Sequence, residues 1–462
     1  MSCTLFPAQG QPNLISFEGN TDPFGTQPVT LNASTNLYLG IGLQYLENHV
    51  WSSGLQLWCV PRGYSTALVT KFDRGFRRKR RDEIFALEVF KDDSQLASIH
   101  INTGLAYSAW ALFAVTGDRQ HQISATNYTA QCLVGLRNYI SEAKDRASFQ
   151  PEHLIFRIIR ADILGGHLAS ALIHAKFLKR LTLARIEAGN GDPVFFNHAL
   201  YQTNNLALAL WKRPMFDPTS VEQFYMKYWT LSMDYTPDMT DFQKRMKFFS
   251  QNFRLQKLLE DTAMLFYLTD SCLTGRLSIP SEKYCALNVR AEYLQICLIN
   301  LVHDQQDRCR LITAPPLTAT MNANICLALT AILSIRFQKH EPMINGVPAS
   351  TVSLTVLGKL QTACIQLDSN MTPLEKEQFA DASLWIAFIA ALVEHRFSGV
   401  AAHLKSPEQW WWSRLTSLIS RRKIRSWLQV HQCLIQFPYH NSETPLPRAD
   451  WLDETFRSVG KI

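Results

Sequence analysis

The chain reads as all-α, a large multi-helix bundle of about twelve to sixteen helices. Three observations predict it. Apolar residues recur at helical spacing over long segments. Helix-start signatures recur between those segments. No hairpin-type turn stands between alternating strands.

The first thirty-four residues are rich in Pro, Gly, Asn and Thr and lack periodicity, so residues 1–34 read as an extended lead-in. Residues 35–458 read as one large helical domain. Its first apolar face is Leu39, Leu43, Leu46 and Val50. A second helix starts near Asp93 or Ser94, either of which can cap it, and Gly117 can end it. A third covers about Thr126 to Ile140. Leu154, Ile155, Ile158, Ile159 and Leu164 make the next face, and Gly165-Gly166 breaks it. Leu168, Leu172, Ala175, Leu178 and Leu181 make the face after that, so a helical hairpin is expected. GNGD, Gly189 to Asp192, is followed by proline and reads as a turn. Capping boxes are expected at Thr219 to Glu222, Thr372 to Glu375 and Ser406 to Gln409, the last two with Pro at the first helical position. Long periodic segments run over Phe253–Leu268, Tyr284–Leu301, Asn322–Phe337 and Val352–Leu367.

Composition narrows the function classes. The chain has 462 residues, 47% hydrophobic and 18% charged, enough to bury a large core. Its net charge of +7 is too mild over this length to mark a nucleic-acid binder. No apolar run reaches the roughly 20 residues needed to cross a bilayer. Ala323 to Ile335 and Leu384 to Val393 read as fully buried helices instead. Ten cysteines stand singly, without the close pairs a zinc site needs. Buried reduced thiols are the favoured reading. With no obvious secretory leader, they point to a reducing compartment.

Candidate chemistry is sparse. There is no nucleophile elbow, phosphate loop or dinucleotide fingerprint. His167 and His174 are seven apart and share a helix face, a spacing that does not suit paired metal ligands. Trp410, Trp411 and Trp412 point three ways around a helix, so packing is favoured over a stacking site. Arg421, Arg422, Lys423 and Arg425 read as a cluster at a helix C-terminus, where cations offset carbonyl dipoles. The loudest local signal is Arg77, Arg78, Lys79, Arg80 and Arg81. A solvated loop ranks first for this run, a nuclear-import address second, and direct DNA contact well behind, since nothing frames the run in a groove. No catalytic, cofactor-binding or metal-ligating residues are assigned, and no cofactor is expected.

A resemblance extends this reading. DPFGTQPVTL, Asp22 to Leu31, followed by LQYLENHVW, Leu43 to Trp51, resembles the opening of the fungal-specific transcription factor regulatory domain, in the tachykinin-like subgroup of zinc-cluster regulators. SQLASIHINTGLAYSAWALFAVTGD resembles that family's helix of repeated small residues. LIFRIIRADILGGHLASALIHAKFLKRL resembles its glycine-turn hairpin, with Phe177 where the family usually has glycine. LWIAFIAALVEH and the segment from Trp410 to Tyr439 resemble its closing helices. The likeness runs from Thr21 to Arg457 and rests on the order and spacing of loose motifs.

The resemblance implies an α-helical bundle in the nucleus that regulates transcription, often of a metabolic or secondary-metabolite gene cluster. Members commonly carry a six-cysteine zinc cluster ahead of this domain, whereas only Cys3 falls in the first fifty-eight residues here. DNA contact is therefore expected to be indirect, through other transcription factors or coactivators, unless an upstream exon supplies the cluster. A homo- or heterodimer fits this role, and no membrane is expected. Two alternatives stand beside it: an all-α enzyme with an unrecognised pocket, and a decoy that titrates a zinc-cluster activator. Replacing Arg77, Arg78, Lys79, Arg80 and Arg81 with alanine in a fluorescent fusion is expected to abolish nuclear accumulation if the run is an import address. Unchanged localisation in live-cell imaging leaves the loop reading.

Overall fold

The computed structural model describes Ser34, Leu37, Tyr38 and residues 94–142, 152–189, 191, 193–229, 252–273, 281–311, 315–339, 343–344, 347–348, 350–398 and 409–439. Fourteen helices and one pair of two-residue strands cover them, an all-α multi-helix fold. The lead-in over residues 1–34 lies outside the described residues apart from Ser34, and the face from Leu39 to Val50 lies outside them entirely. The contacts divide the chain into two compact units, with the division falling inside one helix, between Ala171 and Leu172.

The first unit is organised by α1 (Ser94–Thr116), which packs along α2 (Arg119–Glu142) and α3 (Glu152–Leu164). Leu105, Ala109, Trp110 and Leu112 are buried, as are Ala106, Ser108 and Ala111 on other faces. A helix apolar nearly all round belongs inside a fold, and its small residues let neighbours approach closely. Gly117, at φ 70°, ends α1 as expected and donates to the Phe113 carbonyl at 2.8 Å. The second helix starts at Arg119, ahead of the expected Thr126, because Asp118 caps it: Asp118 Oδ1 accepts from Gln120 N at 2.8 Å. Tyr38 is buried against α2, and its hydroxyl pairs with His121 Nδ1 at 2.9 Å.

The glycine pair ends α3 by two different means. Gly166 sits at φ 75° and donates to the Ile163 carbonyl at 3.2 Å, while His167 N–H reaches back to the Asp162 carbonyl at 2.7 Å. These two bonds are the Schellman closure of a helix. Gly165 has a packing role, because a Cβ there would stand 2.8 Å from the Trp110 indole.

β1 (Met343–Ile344) pairs antiparallel with β2 (Val347–Pro348) in the same unit. Asn345-Gly346 between them is a hairpin signal, too short-flanked to stand out against helical periodicity.

The second unit takes in most of α4 (Leu168–Glu187), then α5 (Pro193–Leu210), α6 (Pro218–Trp229), α7 (Phe253–Leu273), α8 (Ser281–Leu311), α9 (Pro315–Lys339), α10 (Val352–Asn370), α11 (Pro373–Gln378), α12 (Ala380–Ser398), α13 (Trp410–Arg421) and α14 (Trp427–Leu434). Its axis is α9, which packs against α7, α8, α10 and α12. Thr318–Phe337 within it is long and apolar enough to cross a membrane by length and composition, and 78% of that window is buried inside the fold. It reads as the central core helix. Leu384 to Val393 of α12 is likewise buried throughout.

Caps set the remaining boundaries. Thr372 and Glu375 form the expected box: Thr372 N donates to Glu375 Oε2 at 2.7 Å, and Glu375 N donates to Thr372 Oγ1 at 3.3 Å. At α6 the expected Thr219 is displaced by Asp217, whose Oδ2 accepts from Thr219 N at 2.9 Å, with Pro218 opening the helix. The expected start at Ser406 lies outside the described residues, and α13 begins at Trp410.

Gly165→Ala is expected to cost about 1–3 kcal/mol, because the Trp110 ring that would have to move is itself buried. Urea unfolding of wild type and variant, followed by tryptophan fluorescence, measures it.

Candidate functional site

Two polar constellations in the second unit link several helices each. The first is a buried seam contributed by α5, α8, α9 and α10. Gln202, Thr203, Asn204 and Asn205 occupy consecutive positions of α5, and all four are buried. Asn204 Nδ2 donates to Glu292 Oε2 at 2.9 Å and to the Glu292 carbonyl at 3.1 Å. Gln295 Nε2 donates to the same carboxylate oxygen at 2.9 Å. On another side of α5, Arg336 Nη1 donates to Asn205 Oδ1 at 2.6 Å and its Nε to Ser353 Oγ at 3.2 Å. Arg336 is 1% exposed and Glu292 0%. Burying polar groups that far from water is costly unless they are hydrogen-bonded, and each bond fixes the register of the helices that carry it. Among the described residues Gln202 has no hydrogen-bond partner for either amide atom although it is buried.

Periodicity alone missed the seam. The run of polar residues from Gln202 to Asn205 interrupts the apolar period of α5, so that helix leaves no clean signature. The signal that could have found it is the polar run itself, flanked on both sides by apolar residues.

The second constellation joins α10, α12 and α13. Gln409 gives α13 no side-chain cap. Glu394 of α12 supplies one from outside, accepting from Trp412 N at 2.9 Å and from Trp411 N at 3.2 Å. A carboxylate at a helix N-terminus meets both unpaired N–H groups and the positive end of the helix dipole. Burial raises the Glu394 pKa above the ordinary carboxylate range, and the backbone donors of Trp412, Trp411 and Trp410 offset that only in part.

The three indoles divide as helix geometry requires. Trp411 is buried, while Trp410 and Trp412 are half-buried. Trp410 meets Trp411 edge-on at 4.5 Å, and the Arg414 guanidinium lies 5.4 Å from the Trp410 ring. Arg414 grips Asp368 with both prongs, at 2.5 and 3.0 Å. Against the cost of its burial, that carboxylate pulls Arg414 above its ordinary range.

The expected cation cluster at the end of α13 is built largely as read. Lys423 takes φ 54°, and Ile424 N–H closes back on the Ile419 carbonyl at 3.1 Å, so lysine stands where glycine is commoner. Arg422 turns inward to Asp381 and the Ala380 carbonyl, tying α13 to the start of α12.

A strained position lies at the end of α5. Trp211 sits at φ 51°, and Lys212 N–H closes on the Ala207 carbonyl at 2.8 Å. Its indole N–H donates to Gln306 at 3.3 Å, and Lys359 lies 5.3 Å from its ring. Arg213 beside it bridges Asp304 at 2.7 Å and Asp307 at 2.9 Å. These contacts hold the loop after α5 onto α8.

Cys132, Cys297, Cys309, Cys326, Cys364 and Cys433 are free thiols. Cys326 and Cys364 face each other at 3.6 Å between α9 and α10, and burial lifts Cys326 well above its ordinary value. Cys132 donates to or accepts from Thr103 at 2.9 Å, and burial pushes it up to about 11. Protonated thiols of this kind are inert filler, not nucleophiles. His167 packs edge-on to Trp110 at 5.2 Å, and His174 is half-buried on α4. Among the described residues no group of three or more His, Cys, Asp or Glu is placed to hold a metal ion. The basic run Arg77, Arg78, Lys79, Arg80 and Arg81 lies outside the described residues.

What the fold and these constellations define is an all-α multi-helix protein whose interior polar groups tie helices together. Comparisons with protein-family models, curated proteins and solved structures find no match for the chain.

The raised pKa of Glu394 makes stability pH-dependent in a defined direction. A carboxyl whose folded value lies above its unfolded value contributes most when protonated. Its contribution is fully present below the unfolded value of 4.5 and is lost as pH rises through the folded one. Relative to Glu394→Gln, the wild type is therefore expected to gain stability on acidification toward that range. Glu394→Ala, which leaves α13 uncapped, is expected to cost about 1 kcal/mol at the acidic end of that range, and the cost is expected to shrink as pH rises through the folded value. Urea unfolding of the three proteins across the mildly acidic range reads both effects.

Proposed function

We propose that this chain is a nuclear transcription regulator that acts by contact with other transcription factors or coactivators and reaches DNA through them. The observation that carries the reading is the ordered series of motifs from Thr21 to Arg457 that resembles the fungal-specific transcription factor regulatory domain. On that reading its targets are genes of a metabolic or secondary-metabolite cluster.

The use made of charged side chains supports a contact-making scaffold. Glu394 caps α13, Arg414 is paired with Asp368, Arg422 is paired with Asp381, and Arg336 clamps α5 and α10. Each of these groups holds helices in register. A bundle so fixed presents helix faces of constant shape, and faces of that kind take amphipathic partner helices.

A second reading, an all-α fold that binds and acts on a small polar molecule, draws on the seam, where Gln202 is buried with both amide atoms unpartnered among the described residues. Turnover of a metabolite by the pure protein, abolished by Gln202→Leu with the fold intact, would favour it.

The regulatory reading is tested by fusing the full chain to a heterologous DNA-binding head beside a reporter gene. A several-fold rise in transcript is expected for an activator and a fall for a repressor. A decoy lowers transcription from a related activator's promoter when expressed untethered. No change in any of these assays removes the reading.

A further inference from the structure

We propose that the outer face of α4 is a docking ridge for an acidic amphipathic helix of a partner protein, an inference that rests on the regulatory reading and gives it a location. Ile173 is 69% exposed and Phe177 51%, and one helical turn separates them on the same face. Lys176 and Arg180 share that face and are exposed as well. From Ile173 to Ala184 every exposed side chain is apolar or cationic: Ile173, Lys176, Phe177, Arg180 and Ala184. The stretch is three turns, roughly 16 Å, the reach of a short partner helix.

The opposite face of α4 already has an intramolecular role. Ala175, Leu178 and Thr182 on it are buried. The helix's other cations are engaged within the fold too. Lys179 Nζ donates to the Met215 carbonyl at 2.5 Å, and the Arg185 guanidinium lies 5.1 Å from the Phe195 ring. Lys176 and Arg180 have no carboxylate partner among the described residues. So α4 has two apolar faces, one buried and one bare, and only the bare one carries unpaired positive charge. Burying Ile173 and Phe177 would contribute about 1.5–3 kcal/mol each at full burial.

Charge selects the occupant. A second copy of the ridge would bring Lys176 and Arg180 against their own kind, which like-charge repulsion disfavours. An anionic bilayer would gain only about 1 kcal/mol per cation, too little for two cations and two apolar side chains to hold a protein of this size. A helix with apolar residues at i, i+3, i+4 and i+7 and carboxylates beside them meets both the apolar and the cationic demands.

The test is fluorescence anisotropy of the full chain with a labelled synthetic peptide of about 15 residues, Leu and Phe on one face and Glu elsewhere. The control is the same peptide with Lys for Glu. The acidic peptide is expected to bind, more weakly at high salt, and the basic one not. Lys176→Glu with Arg180→Glu is expected to lower affinity for the acidic peptide about tenfold and raise it for the basic one. Ile173→Ser with Phe177→Ser is expected to weaken the acidic peptide about tenfold at unchanged helical circular dichroism, since neither side chain is in the core.

Equal affinity for the two peptides, or unchanged affinity in both variants, overturns the proposal. So does a dimer in sedimentation velocity that Ile173→Ser with Phe177→Ser dissociates, or displacement of the peptide by phosphatidylserine-containing vesicles. The tethered reporter separates the two claims. A reporter response without peptide binding sinks the ridge and leaves the regulatory reading. Peptide binding without a reporter response does the reverse.

Discussion

A guanidinium cannot be taken out of water unless its N–H groups find acceptors inside the protein, and Arg336 is buried in the central helix of the larger unit. That requirement orders much of what surrounds it. The rest of α9 between Ile325 and Ile335 is almost wholly apolar, and an apolar helix slides along its neighbours at little cost. Arg336 removes that freedom, because only one register brings Asn205 of α5 and Ser353 of α10 to its prongs. Through α5 the constraint passes to α8, where Asn204 and Gln295 share one carboxylate oxygen of Glu292. Breaking any member takes a bond away from a buried partner, and such loss typically costs more than the bond contributed. The seam therefore contributes specificity of packing more than net stability.

The fold class and most helices were legible because their signals are local and repeated. Gly117, Gly166 and the Thr372–Glu375 box act within one turn of chain, so a sequence displays both partners at fixed spacing. What stayed hidden depends on residues far apart. The cap of α13 comes from Glu394 on another helix, and no spacing rule links position 394 to Trp412. Asp368 and Arg414 are similarly remote in sequence. Where two local signals competed, the stronger acceptor won: Asp217 displaced Thr219 at α6. The polar constellations were illegible for the same reason as α5 itself: buried polarity erases the periodicity by which a helix is recognised.

The aromatic and basic runs show why composition alone misleads. Three adjacent tryptophans suggest a stacking platform until the helix turns them apart, burying Trp411 and leaving Trp410 as a lid under the Arg414 guanidinium. The cations at the end of α13 read as a helix C-terminal cluster, and Arg422 among them turns inward to Asp381. In both cases a charge that looks available in sequence is committed to a neighbour in space. An unpaired cation on a described helix therefore carries more information than a cation in a run.

That asymmetry is what gives α4 its weight. Its four central cations lie within ten residues of one another, yet they behave in two ways. Lys179 and Arg185 bend onto the body of the protein and cover Met215 and Phe195, as long amphipathic side chains do beside apolar surface. Lys176 and Arg180 point away, and the positions between and beside them are Phe177 and Ile173, not the small or polar residues a solvated face would hold. Exposed aromatic surface has no folding benefit, and a bare cation has no folding role there. Their alternation on one face is therefore best explained by a ligand that supplies carboxylate and apolar surface together, at the repeat of a helix.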